Sequence, residues 1–257
     1  NDSSLNQDLS KWCVYNQLSA PQGGFAVGTA LTPEMKPVWG TCPTYYQGFK
    51  VKFNDGSIVT YPQDDIPADF ADSIETETKK ISELILVGGT CKTIGARAFK
   101  GRKITVRLIE GITEIGDEAF YLGDGFDVAN SVANRLNIRF PDSLVKLGSK
   151  VLYAKAAYFG PNLTDIRPDS IANTVQAGLT LSLASSQKLN LTGPYQLFSN
   201  WHDWNGFNLY VPSTLKTEYE ADSNWYSIMS SDGAKHNATV IGNLDDVSKY
   251  TYTWLIG

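Results

Sequence analysis

Cysteine and histidine are scarce in this sequence: there are three cysteines, at positions 13, 42 and 91, and two histidines, His202 and His236. A structural zinc ion needs clustered Cys and His ligands, so this scarcity predicts that the chain holds neither a zinc ion nor another metal. Two interpretations of the cysteines stay open. In a secreted chain Cys13 and Cys42 would form one disulfide and leave Cys91 free; otherwise all three are buried thiols that pack as small apolar groups.

An excess of positive charge and a long apolar run are also missing. The 22 Lys and Arg residues are outnumbered by 27 Asp and Glu residues, for a formal net charge of −5. Nucleic-acid binding requires a dense basic face, so we expect no nucleic-acid partner. No apolar run is long enough for a membrane span. The polar start, Asn1 to Ser4, lacks the features of a signal peptide.

The familiar motifs of enzymes are absent as well. The sequence contains no GxSxG, HExxH, P-loop or GxGxxG motif and no EF-hand loop. The carboxylate doublets Asp64-Asp65 and Asp245-Asp246 are typical of solvated charges. We therefore predict a non-enzymatic protein with no catalytic residues and no cofactor. At 257 residues, 42% of them hydrophobic, the chain can nevertheless bury a sizeable core in one or two domains.

An internal repeat is the strongest positive signal. Four short apolar-x-apolar units are each followed, seven or eight residues later, by an isoleucine or leucine, and five residues after that by another apolar anchor. The intervals between these Ile/Leu positions are 21, 32 and 19 residues, and the long one contains an insertion of about 11 residues within Leu122–Asn134. The four units and their Ile/Leu positions are Leu84–Leu86 with Ile94, Val106–Leu108 with Ile115, Ile138–Phe140 with Leu147, and Ala157–Phe159 with Ile166.

This spacing predicts a short right-handed solenoid of the leucine-rich-repeat type, β-rich and with a parallel sheet. A single repeat cannot bury its apolar face, but stacked repeats pair each strand with the next and align the anchors into ladders. Leu181–Leu183 and Leu209–Val211 continue the pattern, which makes about six rungs at ~4.8 Å each. Glycine follows the Ile/Leu position at Gly95, Gly116 and Gly148, where we expect tight turns.

These residues resemble a known family, the BspA-type leucine-rich repeat. The resemblance is carried by Ile94–Phe99, with the sequence IGARAF, and by Glu110–Phe120, with the sequence EGITEIGDEAF. Phe140–Gly148 fits the first half of the same repeat, and Leu209–Pro212 with Tyr219 and Trp225 is similar to the usual last repeat, which leaves the solenoid through a short helix. The resemblance covers about residues 81–230.

Residues outside the repeats predict terminal segments. Phe49–Tyr61 alternates apolar and polar residues around Asp55-Gly56, which predicts a β-hairpin. Residues 1–80 are therefore either a small domain or, as we favour, a cap that covers the exposed end of the repeats, residues 81–230. Residues 231–257 contain the apolar stretches Ala238–Ile241 and Tyr250–Leu255, which we expect to close the other end as strands. The apolar side chains available to the N-terminal cap are Trp12, Val14, Phe49, Val51 and Ile58.

Two candidate binding surfaces follow. The residue between the two buried positions of each strand is expected to face solvent, and solenoids commonly bind partners on such a face. Exposed Arg and Tyr are typical anchors of interfaces, so Arg107, Arg139, Tyr158 and Tyr210 are the candidates there, with Ile85 and Ser182 in the same row. Trp201 and Trp204 form the second candidate, since an aromatic pair can support a sugar ring; packing against the core is the alternative.

The family resemblance implies a bacterial protein that is secreted or held at the cell surface and takes part in adhesion. Its expected partner is a host or bacterial surface protein, or a glycan. Contact with a membrane would come only through a lipid anchor, and a mature outer-membrane lipoprotein whose anchoring cysteine precedes Asn1 is our expectation. The alternatives are a glycan-binding or glycan-processing accessory protein and a structural spacer, because fold alone does not decide among these.

Overall fold

The structure is a computed structural model, and it describes residues 8–10, 12, 14, 25, 27–39, 48–87, 89–123, 136–166, 170–172, 179–191, 207–225 and 238–256. Strands dominate this part of the chain, and its α-helical segments are short: α1 (Phe70–Ile74), α2 (Lys216–Ala221) and residues 223–225. None of the helices found in these residues has the length and apolar character that a membrane crossing needs. The strands are β1 (Phe49–Phe53), β2 (Ile58–Tyr61), β3 (Asp65–Ile66), β4 (Ile81–Leu86), β5 (Thr93–Ile94), β6 (Thr105–Arg107), β7 (Glu114–Ile115), β8 (Asn137–Arg139), β9 (Lys146–Leu147), β10 (Leu152–Tyr153), β11 (Ala156–Phe159), β12 (Asp165–Ile166), β13 (Ile171–Ala172), β14 (Leu179–Leu183), β15 (Phe207–Tyr210), β16 (Ala238–Ile241) and β17 (Thr253–Leu255).

The hairpin that the sequence predicts is formed by β1 and β2, which pair antiparallel with Phe49 opposite Tyr61. Gly56 supplies the positive φ of 84° that the connecting turn requires. The alternation of β1 buries Phe49 and Val51 completely. The expectation that Ile58 and Trp12 also cover apolar surface is wrong, because 55% of Ile58 and 50% of Trp12 stay exposed.

The hairpin continues directly into the first sheet, whose strand order is β17-β6-β4-β1-β2. β1 pairs antiparallel with β4, and β4 pairs parallel with β6. Phe49 and Val51 belong to the same hydrophobic core cluster as Leu84, so residues 49–80 do not have a core of their own.

A second sheet contains the later repeat strands in the order β16-β15-β14-β11-β8, and every pair in it is parallel. Its inward-facing residues are in register: Ile138, Ala157, Leu181, Leu209 and Val240 lie side by side and are buried. The short helix expected after Pro212 is α2. Tyr219 within this helix and Trp225 after its end, which the resemblance singled out, are both buried.

A third sheet is a parallel ladder of two-residue strands in the order β12-β9-β7-β5-β3. The predicted Ile/Leu positions of the repeat share one register here and are all buried: Ile94, Ile115, Leu147 and Ile166. Ile66 of β3 extends the ladder by one more repeat. The pairing of β3 with β5 crosses the domain boundary expected at residue 80, because Asp65–Ile66 occupies the same position in its repeat as Thr93–Ile94 does in the next.

The glycine after each Ile/Leu position has a different role from the one that the sequence predicts. Gly95 and Gly116 do not have positive φ angles; the left-handed residues lie two positions further on, at Arg97 and Glu118. A methyl group added at Gly95 would lie 2.5 Å from the backbone nitrogen of Ala68, and one at Gly116 would lie 2.6 Å from that of Ala96. These glycines are therefore needed because consecutive repeats approach each other closely there, and not because the backbone turns tightly.

A row of aromatic rings runs through the core, and the C-terminal segment completes it. Phe99 stacks on Phe120 at 5.6 Å and Phe140 stacks on Phe159 at 4.8 Å, measured between ring centroids. Trp254 joins the two pairs, 5.7 Å from Phe120 and 5.2 Å from Phe140.

The position of β17 corrects the expectation that both C-terminal strands close the far end of the sheet. β16 does lie at that end, beside β15, whereas β17 pairs antiparallel with β6. Thr251 also bridges to Ile138 of β8, so the segment fills the gap between β6 and β8. The physical reason is that β6 and β8 do not pair with each other, and their backbone groups need partners.

The described residues thus form parallel and mixed sheets with few helices, and none of these sheets closes on itself. The leucine-rich-repeat solenoid itself stays a prediction.

Candidate functional site

One row of side chains crosses the second sheet on the side opposite the apolar ladder. Its register is Arg139, Tyr158, Ser182 and Tyr210, in neighbouring strands. The sequence predicts all four to face solvent, and this is wrong for Ser182, which is 0% exposed. Arg139, Tyr158 and Tyr210 are half-buried. These side chains are partly shielded from solvent because Tyr250 and Tyr252 of the C-terminal segment pack against the row.

The C-terminal segment adds two tyrosines to this row. The Tyr250 ring lies 5.8 Å from the Tyr158 ring, and the Tyr252 ring lies 4.9 Å from the guanidinium carbon of Arg139. The Arg139 carbon is also 5.4 Å from the centroid of Tyr158. We call Arg139, Tyr158, Tyr210, Tyr250 and Tyr252 the tyrosine–arginine face. Its centre is a guanidinium between two phenol rings, an arrangement worth about 0.5–2 kcal/mol for each cation–π contact.

Arg139 keeps most of its hydrogen-bonding capacity. Its Nη2 lies 3.5 Å from Asp142 Oδ1, which is a weak contact. Its Nε is buried and has no hydrogen-bond partner. A guanidinium carries five N–H donors, so Arg139 is fixed in orientation by the rings while its donors are largely unused.

Two carboxylates outside this row, those of Glu110 and Asp245, accept hydrogen bonds from the tyrosines of the C-terminal segment. Glu110, in the loop after β6, accepts hydrogen bonds at 3.0 Å from the backbone nitrogens of Asp142 and Ser143, and at 3.4 Å from Tyr252 Oη. Asp245 accepts a hydrogen bond from Tyr250 Oη at 3.0 Å. Burial acts to raise the pKa of Asp245, but the hydrogen bonds from Lys249 and Tyr250 outweigh it and lower that pKa. Asp245 therefore stays charged at neutral pH.

The phenols of the face stay protonated at neutral pH. Burial raises the pKa of Tyr252 to about 12, with a further increase from the charge of Glu110 that opposes the effect of Arg139. Burial is also the main reason why the pKa of Tyr158 and that of Tyr250 are raised. These groups can donate and accept hydrogen bonds, but they are poor general bases and poor nucleophiles.

The remaining predicted site residues do not join the face. Arg107 is exposed on β6, opposite Thr253, so the C-terminal segment separates its strand from that of Arg139. Ile85 is half-buried on β4, further along the first sheet. Trp201 and Trp204 lie outside the described residues. The structure therefore brings Arg139 and Tyr158 into contact and leaves Arg107 apart from them.

Sequence reasoning missed Tyr250, Tyr252 and Glu110. The alternation of Tyr250, Tyr252 and Trp254 was the available signal, and it predicts one strand with all three rings on one face. A bend at Tyr252 breaks that alternation, so Tyr252 is half-buried against Arg139 while Trp254 is fully buried in the core. Nothing in the pattern shows which strands this segment pairs with.

The described residues can be examined for two kinds of reactive group, metal ligands and thiols. No group of three His, Cys, Asp or Glu side chains among them could hold a metal ion. Cys91 is a free buried thiol, and burial raises its pKa to about 12, so it is not a thiolate at neutral pH. Cys13 and Cys42, for which the sequence leaves open a disulfide or two buried thiols, lie outside the described residues.

Comparison of the chain with protein-family models, with curated proteins and with solved structures finds no match.

Proposed function

We propose that this chain is a non-enzymatic interaction module that binds a partner protein through the tyrosine–arginine face. The observation that carries the proposal is the contact of the Arg139 guanidinium with the rings of both Tyr158 and Tyr252. Arg and Tyr dominate the binding energy of protein interfaces, and side chains that are already ordered lose little conformational entropy on binding. Arg139 combines both properties, since the rings fix its plane and the weak contact with Asp142 leaves its Nη groups available to a partner.

The scaffold beneath this face is, in our proposal, a leucine-rich-repeat solenoid. The in-register parallel ladders support it, as does the recurrence of a left-handed residue three positions after the Ile/Leu at Asp69, Arg97, Glu118 and Lys150. A stack of repeats is quasi-one-dimensional and presents one continuous row of outward side chains. Together with the resemblance to BspA-type repeats, this supports a secreted or cell-surface bacterial protein with a role in adhesion.

The partner we propose is a surface protein of the host or of another bacterium. The face is mixed in charge, because Glu110, Asp142 and Asp245 lie beside Arg139 and Lys249. Protonated phenols with charged groups of both signs match the composition of protein-binding surfaces better than that of a site for a single charged ligand.

A binding screen tests this proposal. The purified chain is tested against immobilised extracellular-matrix and bacterial surface proteins and against a glycan array. Arg139→Ala and Tyr158→Ala are each expected to weaken binding of a protein partner at least tenfold, a typical effect for hot-spot residues. Arg107→Ala is the matched control, an exposed arginine outside the face, and it should leave affinity within about twofold.

Two further outcomes contradict the proposal. A partner that binds Arg139→Ala and the parent chain equally would exclude the face as the site. A hit confined to glycans, or silence on both panels, would contradict a protein-binding function and favour glycan recognition or a spacer. Arg139→Lys keeps the charge but loses the planar stacking, so it separates loss of contact from misfolding when its thermal unfolding matches that of the parent.

A further inference from the structure

Strand pairing is continuous in the third sheet but is interrupted between the first and second sheets. β7 and β9 pair directly, with Glu114 opposite Lys146. The corresponding longer strands, β6 and β8, do not pair; the C-terminal segment Tyr250–Ile256 lies between them. This segment therefore occupies a strand-sized gap that the repeats themselves leave open.

Two of the three buried side-chain atoms that lack a hydrogen-bond partner in the described residues, Trp254 Nε1 and Arg139 Nε, lie at the contact between this segment and the gap. Trp254 belongs to the segment, and Arg139 packs against Tyr252. The third atom, Ser182 Oγ, lies in the strand next to that of Tyr158. Buried polar groups are normally paired, so a concentration of unpaired ones marks a contact that is weaker than its apolar area implies. Trp254 Nε1 and Arg139 Nε would regain water when the segment leaves.

The backbone attachment of the segment is confined to the gap. β17 pairs with β6 over Thr253 to Leu255, and hydrogen bonds from Leu108 N to Tyr252 O and from Ile256 N to Ile104 O extend this pairing at both ends. On the other side, Thr251 bridges to Ile138 of β8. The approach from β16 is mostly exposed, and Leu244 within it is 41% exposed. Release of the segment therefore breaks few hydrogen bonds outside the gap.

We propose that Tyr250–Ile256 is an exchangeable strand, and that the gap between β6 and β8 accepts the same segment from a second copy of this chain. The contacts that the gap makes with Trp254 and Tyr252 indicate which segment it can accept. The gap needs an indole between Phe120 and Phe140 and a phenol over Arg139, and a second copy supplies both in the same register. Exchange of an identical element is a route to dimers that requires no new surface.

Cysteine pairing tests the exchange on the full chain. Thr253 lies opposite Arg107 in the antiparallel pair, next to the hydrogen bond from Leu108 N to Tyr252 O, so the two residues form a non-hydrogen-bonded pair with close side chains. A Thr253→Cys chain is mixed with an Arg107→Cys chain under mild oxidation. Pairing of the strand of one copy with β6 of the other holds these two thiols together and favours a disulfide between the chains above the level given by random collision.

The expected result is a disulfide-linked dimer in the mixture, several times more abundant than in either variant mixed with the parent chain. The matched control mixes Thr253→Cys with Thr60→Cys, an exposed residue on β2 of the same sheet. The double variant Arg107→Cys/Thr253→Cys should form its disulfide mainly within one chain, which shows that the two positions are paired.

The proposal is overturned when the double variant forms its internal disulfide but the mixture gives no more dimer than the controls. Absence of a disulfide in the double variant would also overturn it, because the pairing on which it depends would then be wrong. Neither result bears on the proposed binding function, which is tested separately with Arg139→Ala and Tyr158→Ala.

Discussion

The indole ring of Trp254 lies 5.2 Å from the ring of Phe140, centroid to centroid, although the two residues belong to distant parts of the chain. On its other side the same indole is 5.7 Å from Phe120. The aromatic row of the core is continuous only because a residue of the C-terminal segment occupies this position. The earlier and later repeats are therefore joined through Trp254 as well as through the short-strand sheet.

Loss of this indole should destabilise the whole protein. We expect Trp254→Ala to lower the free energy of unfolding by about 3–5 kcal/mol, because it removes a fully buried ring and leaves a cavity. Urea denaturation followed by circular dichroism measures the change. Trp12→Ala is the control, since Trp12 is 50% exposed and should cost less than about 1 kcal/mol. Equal effects of the two substitutions would show that Trp254 does not join the two sets of repeats.

Two serines, the buried Ser182 and the half-buried Ser143, should respond to replacement in opposite ways. Ser182 Oγ has no partner, so Ser182→Ala removes an unpaired polar group and should leave stability unchanged or raise it by up to about 1 kcal/mol. Ser143 Oγ donates to Ile112 O and accepts from Gly111 N, both at 2.8 Å, so Ser143→Ala should cost about 1–2 kcal/mol. Thermal unfolding of the two variants in the same buffer gives the comparison. A larger loss for Ser182→Ala than for Ser143→Ala would contradict the unpaired state of Ser182.

The close approach of the repeats predicts the effect of adding one methyl group. Gly116→Ala places a Cβ 2.6 Å from Ala96 N and should destabilise the protein by about 1–3 kcal/mol or prevent folding. Gly242→Ala is the matched control, because its nearest atom is the flexible Cδ of Lys216 at 3.2 Å. Soluble yield and unfolding midpoint measure both variants. Tolerance of Gly116→Ala at the level of Gly242→Ala would show that the backbones are further apart than the structure has them.

Alkaline pH should weaken the fold through Tyr252. Its pKa is raised from the ordinary value of 10.0 to about 12, so the folded protein holds the phenol proton more tightly than the unfolded chain does. This contribution to stability is fully present below pH 10 and is lost as the pH rises from there through about 12. Urea midpoints across this range should fall less steeply for Tyr252→Phe than for the parent chain. Parallel curves for the two proteins would exclude Tyr252 as a source of the alkaline loss.

Local features were well predicted from the sequence where the signal depends on near neighbours. The turn residues Asp55-Gly56 and the alternation around them were enough to predict the hairpin of β1 and β2. The spacing of Ile94, Ile115 and Leu147 was enough to align them, and the structure pairs their strands in that register. Ile66 belongs to the same ladder but was missed, since its repeat has proline and not glycine after the isoleucine.

The candidate site was predicted in part. Arg139 and Tyr158 were selected because they occupy the outward position of adjacent strands, and the structure brings them into contact. The exposed state expected of Ser182 was wrong, because exposure depends on what covers a strand as well as on its alternation. Arg107 has the same position in its repeat as Arg139, yet a strand from the far end of the chain separates the two.

The sequence by itself determined the period of the repeat, the residues that align in each ladder and the hairpin, because these depend on short-range alternation, spacing and turn chemistry. Only the tertiary structure decided that Tyr250–Ile256 fills the gap between β6 and β8, that Tyr252 packs on Arg139, and that Gly95 and Gly116 are required by close approach. The reason is physical: a strand's partner is chosen by which unpaired backbone groups and apolar cavities remain once the rest of the chain has folded, and no local pattern contains that information.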